Sequence, residues 1–117
     1  MVFFQAQAVY SGMRDDALLV VLAAEKNGDG AHVTFQRAVS FDEQDRALKM
    51  DTYCITTHDG ATHYDGVVAW TVESGFVTVQ LSPEASRTLG ADGGFEIRIP
   101  RESTDSVREW LAKIIDA

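Results

Sequence analysis

Apolar and polar residues alternate along much of the first third of the chain, a pattern typical of β-strands. Residues 4–10 and 33–39 each alternate with a period of two, so each is expected to form a strand. Between them, residues 17–24 are all apolar, and this run predicts a central strand buried on both faces. Because Asn27-Gly28-Asp29-Gly30 favours a turn, the three segments together predict a three-stranded meander.

A β-hairpin is predicted in the second half of the chain. Residues 67–73 and 76–82 have the alternation of strands, and Ser74-Gly75 between them favours a tight turn. The first of these strands is expected to place three apolar side chains on one face: Val68, Trp70 and Val72. Residues 51–57 and residues 95–99 are predicted as two further short strands.

Two helices are predicted towards the C-terminus. The first spans residues 83–89 and begins with Ser82 as a typical N-cap and Pro83 at the first helical position. Gly90 is expected to end it. The second helix carries an apolar stripe with the spacing of a helix that packs on a sheet: Val107, Trp110, Leu111, Ile114 and Ile115. Trp110 has the largest of these side chains and is expected to be the main anchor.

These elements predict an α+β fold for a single domain, residues 1–117. The expected sheet is mainly antiparallel, with about six or seven short strands, a short helix near residues 83–89 and a C-terminal helix packed on it. The segment between residues 40 and 66 fits this pattern least well. Residues 41–50 have the composition of a helix with Asp42 as its N-cap, but few of their side chains could anchor it. Segments of this kind are often functional loops.

Length and charge restrict the functional classes. With 117 residues and a mass of 12.8 kDa, the chain has the size of one compact domain. A net charge of −8 argues against a nucleic-acid-binding surface, which needs a basic face. The longest apolar run is far shorter than the ~20 residues of a membrane helix, and no signal peptide is visible. The single cysteine, Cys54, fits a reducing compartment, so a cytoplasmic location without a membrane partner is expected.

The middle segment holds the residues that would be needed for catalysis or metal binding. Cys54 with His58 or His63 would suit a small enzyme with a thiolate nucleophile, but a strand holds residues four positions apart at ~13 Å. A metal site would use His58, Asp59, His63 and Asp65, whose spacing within a loop matches no helical ligand pair. We therefore predict neither an enzyme nor a metal site, and no cofactor.

Carboxylates are concentrated in the same segment. Residues 40–66 contain six of the eighteen Asp and Glu residues and two of the ten Lys and Arg residues. Half of the net charge therefore lies in under a quarter of the chain. Such a cluster is either a solvated polar edge that maintains solubility or a surface that attracts a basic partner.

Several short segments carry a family resemblance: Asp42-Glu43-Gln44-Asp45, Met50-Asp51-Thr52-Tyr53-Cys54-Ile55, His63-Tyr64-Asp65-Gly66-Val67, Val77-Thr78-Val79-Gln80-Leu81, Pro83-Glu84-Ala85, Leu89-Gly90 and Phe95-Glu96-Ile97. On these segments the chain resembles the immunity protein 10 family, whose members are small bacterial proteins predicted to neutralise toxins of polymorphic toxin systems. The resemblance spans about residues 3–115. It implies an inhibitor that binds a cognate toxin domain rather than an enzyme.

Under this resemblance, the acidic segment is the expected contact with the toxin. Acidity suits an inhibitor of a nuclease-like toxin, because the active site of such a toxin attracts phosphate. The predicted partner-binding residues are carboxylates and two tyrosines: Asp42, Glu43, Asp45, Asp51, Tyr53, Asp59, Tyr64 and Asp65. The alternative function is a non-catalytic ligand-binding or self-associating module, in which exposed strand edges would pair two copies into a homodimer.

Overall fold

The computed structural model describes residues 1–117 and confirms the α+β class, with the strands divided between two sheets. The strands are β1 (Val2–Gln5), β2 (Ala8–Arg14), β3 (Ala17–Ala23), β4 (His32–Ala38), β5 (Cys54–Thr57), β6 (Thr62–Tyr64), β7 (Val67–Glu73), β8 (Phe76–Leu81) and β9 (Gly94–Arg98). The helices are α1 (Glu43–Ala47), α2 (Pro83–Leu89) and α3 (Thr104–Ile115), with a 3₁₀ turn, Arg101–Ser103, before α3.

The larger sheet has five strands in the order β2-β3-β4-β5-β6, all antiparallel, and its first three strands confirm the predicted meander. Its inner face forms part of the core through fully buried side chains: Val20, Leu22, Val33, Phe35 and Ile55. On β3, Leu19 and Val21 point to the opposite face and are half-buried. The prediction that residues 17–24 are buried on both faces therefore holds for the outward-pointing Ala17 and Ala23, which are buried, but not for Leu19 and Val21 between them.

The smaller sheet has four strands in the order β1-β9-β8-β7, in which β1 pairs with β9 in parallel and the other pairs are antiparallel. Its inner face completes the same core: Val77, Val79, Phe95 and Ile97. β9 begins at Gly94, with φ 126°, where a Cβ atom would overlap the carbonyl oxygen of Val79. Glycine at this position allows β9 to lie against β8.

One predicted strand, residues 4–10, is divided between the two sheets. The Ala6 N–H donates a 2.8 Å hydrogen bond to the carbonyl oxygen of Arg98, and the next N–H, of Gln7, donates a 2.9 Å bond to Ala23. The chain therefore passes from one sheet to the other between adjacent residues. This division and the short strand β6 give nine strands where the alternation predicts about seven.

The predicted hairpin of β7 and β8 is confirmed, with Ser74 and Gly75 both at positive φ, 49° and 81°. A register shift between Val67 and Ala69 marks a β-bulge in β7. The bulge turns Val68 outwards, where it is 68% exposed. The prediction that Val68 shares a face with Trp70 and Val72 is therefore wrong, because the bulge breaks the strict alternation before Trp70.

The first of the two predicted helices, α2, has the predicted bounds and caps, and the second is α3. Ser82 Oγ accepts the Ala85 N–H of α2 at 3.2 Å, and Gly90 ends this helix with φ 64°. α3 packs on the inner face of the larger sheet through three fully buried side chains: Val107, Leu111 and Ile114. Trp110 is half-buried at the edge of this contact, so it is not the deepest anchor that its size predicts. None of the helices is long and apolar enough to cross a membrane.

Candidate interaction surface

The predicted helix of the acidic segment is the short helix α1, and Asp42 is its N-cap as predicted. Asp42 Oδ1 accepts the Asp45 N–H at 2.8 Å, while Asp45 Oδ2 accepts the Asp42 N–H at 3.0 Å. These reciprocal bonds form a capping box, which holds both carboxylates at the first turn. Because α1 contains no buried residue, tertiary packing contributes little to it; Glu43 faces solvent, whereas Asp45 is half-buried.

Tyr53 lies in the interior, with 3% of its surface exposed. Its hydroxyl donates a 3.0 Å hydrogen bond to Asp65 Oδ1 and accepts a 2.9 Å bond from the Val67 N–H. Burial raises the pKa of Tyr53 to about 12, since an ionised phenolate would lose hydration in this position. Tyr53 therefore connects the start of β5 to the start of β7 and positions Asp65, and the structure does not place its ring on the surface.

Tyr64 lies on the outer side of the larger sheet, directly opposite Cys54 in the pairing of β5 with β6. Both side chains line a crevice of about 120 Å³. Asp45 of α1 and Met50, from the loop after α1, line it as well. Burial raises the pKa of the Tyr64 phenol, and the nearby Cys54 and Asp45 raise it further. Burial also raises the pKa of the Cys54 thiol, which disfavours the thiolate form that a nucleophile requires.

Asp59 lies in the turn between β5 and β6, at the other end of these strands. Its carboxylate accepts hydrogen bonds from the Thr57 hydroxyl and from the Ala61 N–H. The Thr57 bond is the main reason that the pKa of Asp59 is lowered. β5 is about 10 Å long at the ~3.3 Å rise of a strand residue, and it leads from the acidic segment to this turn. Asp59 therefore belongs to a different part of the surface from Asp42.

The structure brings two further carboxylates, which the sequence analysis missed, to the α1 end of the larger sheet. Asp15 and Asp16 form the turn between β2 and β3, with φ 51° and 61°. The carbonyl oxygen of Asp16 accepts the Val39 N–H at 3.1 Å, which joins this turn to the segment that leads into α1. The acidic end is therefore made of six carboxylates from two stretches of chain: Asp15, Asp16, Asp42, Glu43, Asp45 and Asp51.

The acidic end adjoins a sheet face without a helix packed across its centre. In an antiparallel sheet, directly paired residues point to the same side, so the register places six side chains near the centre of the outer face: Tyr10, Leu19, Val21, Thr34, Thr56 and Tyr64. We call this outer side of the five-stranded sheet the open face. No Asp, Glu or Lys points from its strands to this side, and its one arginine, Arg14, lies at the end of β2.

The residues considered for catalysis are not assembled into a site. The Cys54 side chain lies on the open face, while His63 pairs with Ile55 and shares its inner side. The His63 Nδ1 lies 3.0 Å from the Asp65 carbonyl oxygen, and its Nε2 lies 4.0 Å from Glu84. No group of three or more His, Cys, Asp or Glu side chains is arranged to hold a metal ion.

Comparison with known proteins gives one match. The family model described as Immunity protein 10 matches residues 5–106, which include β2 to β9 and the acidic end. No curated protein and no solved structure shows significant similarity to the chain.

Proposed function

Because the chain belongs to the immunity protein 10 family, we propose that it binds and neutralises a cognate bacterial toxin domain. The family match over residues 5–106 is the observation that carries this proposal. A role as a binding partner requires no catalytic group, and it agrees with the position of Cys54 and His63 on opposite sides of the sheet. The proposed site of action is the cytoplasm, where a single cysteine stays reduced.

The acidic end is the part of the surface that we propose to attract the toxin. None of its six carboxylates forms an ion pair within the chain, since the ion pairs of the structure involve Glu84, Asp105 and Glu109. Unpaired carboxylates on one side of a molecule produce a local negative potential, which accelerates association with a basic protein. A toxin that acts on nucleic acid has such a basic surface.

Co-expression tests the function itself. The chain is expressed together with the C-terminal domain of the protein encoded beside it, and growth and co-purification are measured. We expect that the chain restores growth and co-purifies with that domain at a fixed ratio. Absence of both rescue and complex formation would contradict the proposed function.

A charge-removal variant tests the acidic end. The variant D15N/D16N/E43Q/D51N removes four charges and keeps the capping box, and asparagine tolerates the positive φ of Asp15 and Asp16. The control E73Q/D92N/E96Q/E102Q removes four charges elsewhere. At low salt we expect association with the toxin domain to slow about tenfold in the variant and less than about twofold in the control. Equal slowing in both would show that net charge matters and the acidic end does not.

A further inference from the structure

The open face is unusual for a sheet surface that faces water. In antiparallel sheets with one face packed on the core and the other in water, apolar residues that point to the core usually alternate with polar residues that point to solvent. Here β3, an interior strand of the sheet, contributes Leu19 and Val21 to the outer side, beside Tyr10. The eight-residue apolar run of residues 17–24 has the composition of a strand covered on both faces. On the outer side the chain buries Ala17 and Ala23 at the ends of β3 but leaves Leu19 and Val21 half-buried between them.

The outer face of the smaller sheet provides the internal comparison. Charged residues point outwards from this sheet: Glu96, in the middle of β9, lies opposite Thr78, and Arg98, at the end of β9, lies opposite Phe76. The Arg98 guanidinium lies 5.6 Å from the centre of the Phe76 ring. This face has the mixed charge of an ordinary solvated surface. The two outer faces therefore differ in composition although both belong to the same small molecule.

The composition of the open face matches the centre of a protein–protein interface. Interface centres are depleted in Lys, Glu and Asp and enriched in aromatic residues, and tyrosine is a frequent energetic hot spot. Tyr10 and Tyr64 lie near opposite edges of the sheet, with Leu19 and Val21 between them. A five-stranded face with strands of this length measures about 24 by 20 Å, or ~500 Å². With its flanking loops it approaches the ~800 Å² that each partner buries in a standard interface.

The loops that surround this face indicate what binds there. Nine carboxylates lie in the connections between β2 and β6, and none forms an ion pair within the chain: Asp15, Asp16, Glu25, Asp29, Asp42, Glu43, Asp45, Asp51 and Asp59. The same connections contain three basic residues: Lys26, Arg46 and Lys49. A partner that covers the face must therefore present positive charge around an apolar centre. Two copies of this chain placed face to face would instead bring like charges together.

We propose that the open face is the surface on which the chain binds its toxin, and that the bound part of the toxin is an apolar or aromatic patch surrounded by Lys and Arg. This inference rests on the proposed function and specifies the surface through which the chain binds the toxin. The acidic loops attract and orient the toxin, while the uncharged sheet face, with Val21 near its centre, supplies the contact area that keeps the complex together. Removing loop charges thus slows association, whereas changing the face accelerates dissociation.

A pair of matched lysine substitutions tests the proposal. Val21→Lys places a positive charge near the middle of the open face, and Thr78→Lys places one near the middle of the outer face of the smaller sheet. Both positions are half-buried in an interior strand of their sheet. We expect Val21→Lys to weaken the complex with the toxin domain at least about a hundredfold, chiefly through faster dissociation, and Thr78→Lys to change it less than about threefold. Binding of Val21→Lys at wild-type affinity would overturn the proposal.

A milder variant and a chemical probe keep the test independent of folding. The double variant L19T/V21T retains strand propensity and adds no charge, and we expect it to weaken binding about tenfold while urea unfolding shows a folded protein. The single thiol, Cys54, lies on the open face, so its alkylation at pH 8.5 is expected to slow in the complex. Unchanged alkylation in the complex would contradict coverage of the face.

Two further outcomes separate this proposal from others. If the wild-type chain neither rescues growth nor forms a complex, the proposed function fails, and this failure is visible before any variant is made. If the wild-type chain sediments as a dimer that Val21→Lys dissociates, the open face binds a second copy, and the proposal of a basic toxin surface is wrong. Rescue by wild type with loss of binding only in the open-face variants supports both proposals.

Discussion

The two faces of the five-stranded sheet are made by the same strands but differ in what covers them. On the inner face, Val20 and Phe35 are paired neighbours with no exposed surface. One residue along each strand, Val21 and Thr34 are paired neighbours on the open face and remain half-buried. Because side chains alternate along a strand, stability and recognition are separated here by a single step in the sequence. Substitutions at adjacent positions can therefore test the two properties separately.

The largest effect on stability is expected on the inner face. Phe35→Ala removes a fully buried ring from the core and should lower the free energy of unfolding by about 3–5 kcal/mol. Thr34 is the chain neighbour of Phe35 and points to the open face. Thr34→Ala should lower the free energy of unfolding by less than about 1 kcal/mol. Urea denaturation of both variants measures the difference. Equal losses would show that the open face supports the fold as much as the inner face does.

Much of the fold could be predicted because its signals are local. The hairpin turn at Ser74-Gly75 and the cap and stop of α2 are determined by residues within a few positions of each other. The division of residues 4–10 between two sheets could not be predicted, because it depends on hydrogen bonds to Arg98 and Ala23, which are distant in sequence. The bulge at Val68 likewise depends on pairing with β8.

The candidate surface was harder to predict than the fold. The cap at Asp42 followed from local sequence, and the structure confirms it. The burial of Tyr53 depends on the partners of its hydroxyl, Asp65 and the Val67 N–H, which lie twelve or more residues away. The contribution of Asp15-Asp16 depends on the register of three strands. The apolar run of residues 17–24 was the one sequence signal for the open face. Its pattern does not distinguish a strand covered by another part of the same chain from a strand covered by a partner protein.

The next largest effect distinguishes two anchors of α3. Leu111→Ala should destabilise the protein by about 2–5 kcal/mol, because the fully buried side chain leaves a cavity between α3 and the sheet. Trp110→Ala should cost less despite the larger side chain, because the ring lies at the edge under Lys113, whose Nζ is 4.5 Å from its centre. Solvent can fill the space that it leaves. Calorimetric melting shows which of the two variants is less stable. A lower melting temperature for Trp110→Ala than for Leu111→Ala would mean that the tryptophan is the main anchor of α3.

A smaller effect concerns the hydroxyl of Tyr53. Tyr53→Phe removes the hydrogen bonds to Asp65 and Val67 and should cost about 1–3 kcal/mol at neutral pH. Tyr10→Phe is the control, since the Tyr10 hydroxyl, on the open face, donates one 3.3 Å hydrogen bond to the carbonyl oxygen of Met13. We expect Tyr10→Phe to change the free energy of unfolding by less than about 0.5 kcal/mol.

The Tyr53 hydroxyl also gives a stability change with a defined direction in pH. Its pKa in the folded chain is about 12, above its ordinary value of 10.0, so folding favours the neutral phenol. The corresponding stabilisation is complete below pH 10 and is lost as the pH rises towards 12. Urea unfolding between pH 9 and 12 should therefore show a steeper loss for the wild type than for Tyr53→Phe. Parallel curves would contradict the structural role of the hydroxyl.

The smallest effect on global stability is expected at Asp42, although its local effect is large. Asp42→Ala removes the carboxylate that accepts the Asp45 N–H, and a lost N-cap typically costs a helix about 1 kcal/mol. α1 buries no side chain, so it can unfold while both sheets stay intact. Hydrogen exchange should accelerate in the amides of α1 about fivefold, while the urea midpoint stays within error of the wild type. A shift of the midpoint as large as the local loss would mean that α1 is coupled to the core, and the acidic end would then be part of the stabilising structure rather than a surface free to serve binding.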